Sequence, residues 1–122
     1  MAKLDIKYKD EKDFYIKYIE ILSPILGLSK KERRILSELM YKFNSKTNLS
    51  SLEKYRVILS YDGRVELCET INISNQTLRN TLSIFRKKKY LIPSSNNVEE
   101  LASFLRITPK LKSIEFNFIL NE

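Results

Sequence analysis

Glu66 to Lys89 reads ELCETINISNQTLRNTLSIFRKKK, and the way this stretch folds decides the architecture of the chain. Leu78, Leu82 and Phe85 recur at four- and three-residue steps, the spacing that gathers side chains on one face of an α-helix. The opposite face then presents Gln76, Arg79, Asn80, Ser83 and Lys87. Ser74 stands just before this segment and belongs to the residue types whose side-chain oxygen best satisfies the free amides of a helix start. Upstream, Leu67 and Ile71 share the spacing of a core-facing helical stripe. Charge sets the stretch apart as well. The chain has 15 Asp and Glu residues, yet none falls between Thr70 and Val98, where Arg79, Arg86, Lys87, Lys88 and Lys89 are found. The formal net charge is only +7, so most of the excess is gathered in this window rather than spread as a solvated coat. A polyanion is the partner such a concentration suggests.

At 122 residues the chain has the size of one ordinary domain, able to bury one core. Its 43% hydrophobic and 30% charged residues, with two glycines and three prolines, fit a globular, helix-rich protein. One cysteine, Cys68, excludes an internal disulfide, and without histidine the usual nitrogen–sulfur metal sites cannot be assembled. The lack of histidine also removes the ordinary catalytic triad and the usual general base near neutral pH, and no glycine-rich loop exists to cradle phosphates. The neighbouring carboxylates Glu99 and Glu100 read as a solvated pair. The expectation is a protein that is not an enzyme, with no cofactor, no metal and no evident small-molecule ligand. The N-terminal residues lack the apolar core of a signal peptide, and no apolar run approaches the roughly 18 residues of a membrane span. A cytoplasmic protein with no membrane partner is therefore expected.

Residues 1 to 12 read as a flexible lead-in and 13 to 122 as a single domain. Phe14, Tyr18, Ile21 or Leu22, and Ile25 mark a first helix, which Pro24 should kink or end near Leu22. Gly27 supplies a stop. Ser29 and Glu32 have the spacing of a capping box, opening a second helix whose buried stripe is Ile35, Leu36, Leu39, Met40 and Phe43. Asn44 to Ser50 is a loop, Ser51 to Lys54 opens a short helix, and Val57-Ile58-Leu59 is extended. Asp62-Gly63 breaks the chain. Near the C-terminus FLRITP, from Phe104 to Pro109, suggests a strand. Ile114, Phe116, Phe118 and Leu120 alternate with polar residues in the period of another.

With these elements in place, Glu66 to Ser74 resembles the first half of a helix-turn-helix. Cys68 is small where two crossing helices leave little room, Asn72 falls where the tight turn favours a left-handed backbone, and Ile73 plugs the turn. Thr77, Leu78, Leu82, Phe85 and Tyr90-Leu91-Ile92 extend the resemblance to winged helix-turn-helix proteins, of the kind found among MarR-like transcription regulators and replication initiators. It covers about Ser29 to Pro109. Lys89 departs from the pattern, since such families place glycine where the helix is left. The segment Asn97 to Phe104 departs too, since it has the look of a short helix instead of a plain hairpin, and its Glu99 and Glu100 would repel phosphates. The layout also resembles small proteins of tailed bacteriophages, including crAss-like ones, for which host cytoplasm or virion would be the location.

The resemblance implies a mainly α, α+β fold with an extra N-terminal helix and a small C-terminal sheet. The helix-turn-helix would span about 63 to 90 and the wing with its C-terminal strand about 90 to 120. It implies double-stranded DNA as partner, with the helix from 74 to 89 in the major groove, where amides and guanidinium groups can distinguish base edges. Asn75, Gln76, Arg79 and Asn80 are then the candidates for base contact. Ser74, Thr77, Ser83, Lys87 and Lys88 are the candidates for phosphate, with Arg106 and Lys110 from the wing. Ser74 is an N-cap in any case, and Lys87 to Lys89 also suit the negative end of a helix dipole. The N-terminal helix carries more apolar surface than one flank of a small core needs, so a homodimer through Phe14, Tyr18, Ile21, Leu22 and Ile25 is a second expectation. The alternative function is a virion or DNA-packaging component that uses the same fold for protein–protein contacts.

Overall fold

All five helix starts among the described residues are set by serine or aspartate side chains that take up the free amides of a first turn. A computed structural model describes residues 7–46, 48–94 and 98–109. Asp10 caps helix α1 (Glu11–Leu26), its carboxylate accepting from Asp13 N at 2.8 Å. Ser29 caps α2 (Lys30–Ser45) with the complete capping box: Ser29 N donates to Glu32 Oε1 at 2.8 Å and Glu32 N to Ser29 Oγ at 3.2 Å. Ser50 caps α3 (Ser51–Leu59) through its hydroxyl, which accepts from Glu53 N at 3.2 Å and donates to Glu53 Oε1 at 3.0 Å. Ser60 ends α3 and at once caps α4 (Tyr61–Ile71), and α5 (Asn75–Lys87) follows a short turn. The chain then forms strands β1 (Leu91–Pro93) and β2 (Glu99–Leu101) and a 3-10 turn over Ser103–Leu105. The described residues are thus mainly helical with a small two-stranded antiparallel sheet, an α+β composition. No helix among them is long and apolar enough to cross a membrane.

Helix α1 does not end near Leu22. Pro24 lies inside it and leaves the Glu20 carbonyl without its usual i+4 amide, but Ser23 Oγ donates to that carbonyl at 2.8 Å. The helix stops instead at Gly27, whose φ of 62° is left-handed, as the glycine stop required.

Val57-Ile58-Leu59 is helical rather than extended. Tyr55, Ile58 and Leu59 face inward at helical spacing, and this outweighs the strand preference of the Val-Ile pair. Gly63 is not a break either. It lies in the first turn of α4, where an added Cβ would sit 2.3 Å from the Val57 carbonyl oxygen and 2.4 Å from that of Ile58. The glycine is there because α4 folds straight back over the end of α3.

After α5 the described residues form an antiparallel strand pair. Leu91 pairs with Leu101, Ile92 with Glu100 and Pro93 with Glu99, so the helix read over residues 97 to 104 gives way to strand at 99–101 with a 3-10 turn at 103–105, and no strand forms over FLRITP among the described residues. The apolar residues Val98, Leu101, Ala102 and Leu105 are buried, Leu101 from β2, Val98 and Ala102 from its flanks and Leu105 from the 3-10 turn, with a spacing that also fits a helix. The strand expected over Ile114 to Leu120 lies outside the described residues.

Buried side chains from every helix and both strands form one cluster. The apolar excess on α1 belongs to it: Phe14, Tyr18 and Leu22 are covered within the chain, largely by α2. Tyr15 Oη donates to the Ile107 carbonyl at 3.0 Å and Tyr18 Oη to that of Phe104 at 2.8 Å. Asn44 Nδ2 donates to the Leu105 carbonyl at 2.9 Å, so this C-terminal stretch is tied across α1 and α2. Of the five residues expected at a dimer face, Phe14, Tyr18 and Leu22 are buried in the core of the chain, Ile21 is half-buried, and Ile25, at 59%, is the exposed member.

Candidate nucleic-acid interface

The turn between α4 and α5 is built by two residues with opposite backbone preferences. Asn72 adopts φ 61° and ψ 57°, the left-handed conformation that asparagine tolerates better than most residues, and Ser74 is extended. The amides of Asn72 and Ile73 both donate to the Cys68 carbonyl, which closes α4. Ile73 packs half-buried against the core, as does Cys68. Burial, with Glu69 beside it, pushes the Cys68 thiol up, away from the reactive thiolate. Arg34 of α2 donates to the Ile71 carbonyl at 3.3 Å, so the turn is held from below.

Helix α5 then runs with Leu78, Thr81, Leu82 and Phe85 buried. Thr81 Oγ1 donates to the Thr77 carbonyl at 2.9 Å, which satisfies the one buried hydroxyl of that face. The outward face carries Asn75, Gln76, Arg79, Asn80, Ser83 and Lys87, all exposed, with Thr77 half-buried at its edge. Gln76 Nε2 donates to Asn80 Oδ1 at 2.9 Å, joining two carboxamides one turn apart. Ser74 Oγ accepts from Thr77 N at 3.1 Å and donates to Thr77 Oγ1 at 2.9 Å, so both hydroxyls are already part of the cap.

The helix ends through a residue that does not suit the geometry by itself. Lys89 has φ 63°, the position where glycine is usual, while Tyr90 N donates to the Phe85 carbonyl at 2.9 Å and Lys89 N to that of Arg86 at 3.2 Å. This pair of bonds is a Schellman closure, formed in spite of the Cβ. Tyr90 Oη donates to the Leu26 carbonyl at 2.8 Å, and burial raises its phenol above its ordinary range. The end of α5 is thereby pinned to the end of α1.

The cations of the acid-free window divide into two groups. Arg86 makes a two-pronged ion pair with Glu99 of β2, at 2.7 and 2.9 Å, which holds its guanidinium still more firmly charged. Lys88 Nζ lies over Gly27, 3.4 Å from where a Cβ would stand, at the negative end of the α1 dipole. Arg79 and Lys87 make no ion pair among the described residues. Arg106 is exposed and lies 3.6 Å from Glu100, and Lys110 lies outside the described residues. Glu99 and Glu100, read from the sequence as a solvated pair that would repel phosphate, each face an arginine instead.

Beside the start of α5 a groove of about 580 Å³ opens between it and α4. Tyr61, Arg64, Asn72, Asn75 and Arg79 line it with a single carboxylate, Glu69. Tyr61, 82% exposed, and Arg64, whose Nε donates to the Leu59 carbonyl at 2.9 Å, had no place in the sequence reading. The signal was hidden because Asp62-Gly63 reads as a chain break, whereas it opens a helix. The arrangement offers directional donors and acceptors flanked by cations on a rigid helix. Comparison of the chain with protein-family models, curated proteins and solved structures gives no match.

Proposed function

We propose that this chain is a non-enzymatic, sequence-preferring double-stranded DNA-binding protein of the winged helix-turn-helix class, serving transcription or replication control. In this reading α4 and α5 are the helix-turn-helix, the β1–β2 hairpin is the wing, and α5 enters the major groove. The observation that carries it is the division of α5. One face is buried against the core, and the other consists of amides, hydroxyls and cations with no carboxylate on it. Asn75, Arg79 and Asn80 meet base edges, with Gln76 bonded to Asn80 beside them; Ser83, Lys87 and Lys89 run toward the backbone. Pairing of Glu99 and Glu100 with arginines supports the wing's approach to phosphate, since neither carboxylate is left with its full charge facing outward.

The test is a titration of labelled duplex by fluorescence anisotropy at several salt concentrations. With Lys87 and Lys89 each neutralising one phosphate, log affinity should fall against log salt with a slope of about −2. A slope near zero, or no binding at low salt, removes the reading. One observation favours the alternative of an assembly component: Val57 on α3 and Tyr61 and Val65 on α4 are large apolar residues left exposed. That alternative requires defined higher oligomers by light scattering and no duplex affinity in the same titration.

A further inference from the structure

We infer that Asn80 reads an adenine in the major groove, and that Gln76 is the positioning residue that holds the Asn80 carboxamide for it. This rests on the DNA-binding reading above and names the base pair that the same helix selects. The exposed stripe of α5 is not uniform along its length. Its first half presents the carboxamides of Asn75, Gln76 and Asn80 with a single cation, Arg79, and its second half leads into Lys87, Lys88 and Lys89. Cations attract phosphate whatever the sequence, whereas a neutral carboxamide adds little to that attraction and much to directional hydrogen bonding.

Asn80 has no evident duty to the fold. It lies in mid-helix, where asparagine is a poor helix former, it is exposed, and the partner seen for its side chain is Gln76. That bond, Gln76 Nε2 to Asn80 Oδ1 at 2.9 Å, uses one of the two lone pairs on Oδ1 and fixes which end of the carboxamide is oxygen. One acceptor lone pair and the amide hydrogens of Nδ2 are left, an acceptor beside a donor. The major-groove edge of adenine offers the complement, a donor amino group beside a ring acceptor. Guanine offers two acceptors and would set one of them against Oδ1. Thymine offers an acceptor and a methyl group, and cytosine a lone donor, so neither engages both ends.

The experiment begins with selection of bound duplexes from a randomised pool by the full chain. Affinities for the selected site are then measured with wild type, Asn80→Ala and Gln76→Met. Wild type should require an A·T pair at one position, losing roughly tenfold to a hundredfold when it becomes G·C. Replacing that adenine by 7-deazaadenine, which lacks the ring acceptor, should weaken wild type severalfold and leave Asn80→Ala unaffected. Asn80→Ala should bind all four base pairs at that position alike, with its salt slope unchanged. Gln76→Met keeps the length of the side chain without its amide; it should narrow the discrimination at the same position, again with the slope unchanged, which a purely structural role would not do. Both variants replace exposed residues by good helix formers, and circular dichroism verifies that each folds. Adenine preference that survives Asn80→Ala, insensitivity of wild type to the deaza base, or undiminished discrimination by Gln76→Met overturns the inference while the DNA reading stands. Failure to bind any duplex at low salt removes both.

Discussion

Replacing Gly63 by alanine tests the junction that aims α4 and α5. In the open interior of a helix the change from glycine to alanine stabilises by about 1 kcal/mol, because glycine loses more backbone freedom on folding. Here the new Cβ would lie 2.3 Å from the Val57 carbonyl oxygen, 2.4 Å from that of Ile58 and 2.6 Å from the Ile58 carbonyl carbon. All three are backbone atoms, so no side chain can swing aside. Restoring ordinary contact takes a shift of about 1 Å between α3 and α4, and overpacking of this kind costs typically 1–3 kcal/mol and sometimes more. The shift also loosens Ile58, Leu59 and Leu67, which are buried on either side of the junction. Taken at the upper end of that range and set against the helix gain, the net loss is about 2 kcal/mol. At about 2.1 cal/mol/K per residue of unfolding entropy, this lowers Tm by roughly 8 °C. Thermal unfolding followed by far-UV circular dichroism measures it, with Gly27→Ala as the comparison. Gly27 has space but a left-handed φ, so its loss should be nearer 1 kcal/mol. A Gly63→Ala protein whose Tm rises would refute the close approach of the two helices, and with it the placement of α5.

Lys89→Gly removes the Cβ from a left-handed position and should raise Tm by about 4 °C, equivalent to roughly 1 kcal/mol, on the same thermal scan. Glu99→Gln releases Arg86 from its ion pair; because Arg86 is partly exposed the stability cost should stay near 1 kcal/mol, while duplex affinity at low salt should rise. Burial, followed by the charge of Glu11, pushes the Tyr15 phenol up to about 12, so the folded state holds this proton more tightly than the unfolded chain does. Its contribution is complete below pH 10 and is lost as pH climbs from about 10 to 12; urea midpoints across this window should fall for wild type and fall less for Tyr15→Phe. Asn75→Glu with Ser83→Glu places carboxylates four residues before Arg79 and Lys87, and the first also faces the positive end of the helix. The double variant should gain a few tenths of a kcal/mol in stability yet lose duplex affinity by at least tenfold, measured by the two assays together.

What could be read from the sequence was local chemistry. The Ser29 and Glu32 box, the left-handed Asn72, the Ser74 cap and the two faces of α5 all follow from how a side chain treats its own backbone or from one helical period. What could not be read depends on distant partners. Pro24 reads as a kink or an end because nothing in the sequence says that Ser23 will satisfy the carbonyl it abandons. Gly63 reads as a break because close crossing of two helices leaves no mark except the missing side chain. Phe14, Tyr18 and Leu22 suggested a second subunit, since the stretch that helps cover α1 lies more than 80 residues away and is held by tyrosine hydroxyls on backbone carbonyls. Glu99 and Glu100 looked alike as neighbours, yet the hairpin register hands one to Arg86 and the other to Arg106.

That register bears on why the window from Thr70 to Val98 holds no carboxylate. Stability alone would put acids on the outer face of α5, since Glu before Arg or Lys at four-residue spacing supports a helix and Asp or Glu suits its first turn. The chain does this elsewhere: Glu11 and Asp13 open α1, Glu32 opens α2, Glu53 opens α3 and Asp62 opens α4, whereas α5 has no acid in its first turn. The structural needs of α5 are met from outside its exposed face, by Glu99 on Arg86, by Tyr90 on Leu26 and by Arg34 beneath the turn. Arg79, Asn80 and Lys87 are thereby left with no ion pair or cap to serve among the described residues, on the one helix whose outward side omits the helpful acid. A face that forgoes available stability and yet keeps its amides and cations is what the proposed function, with its polyanionic partner, calls for.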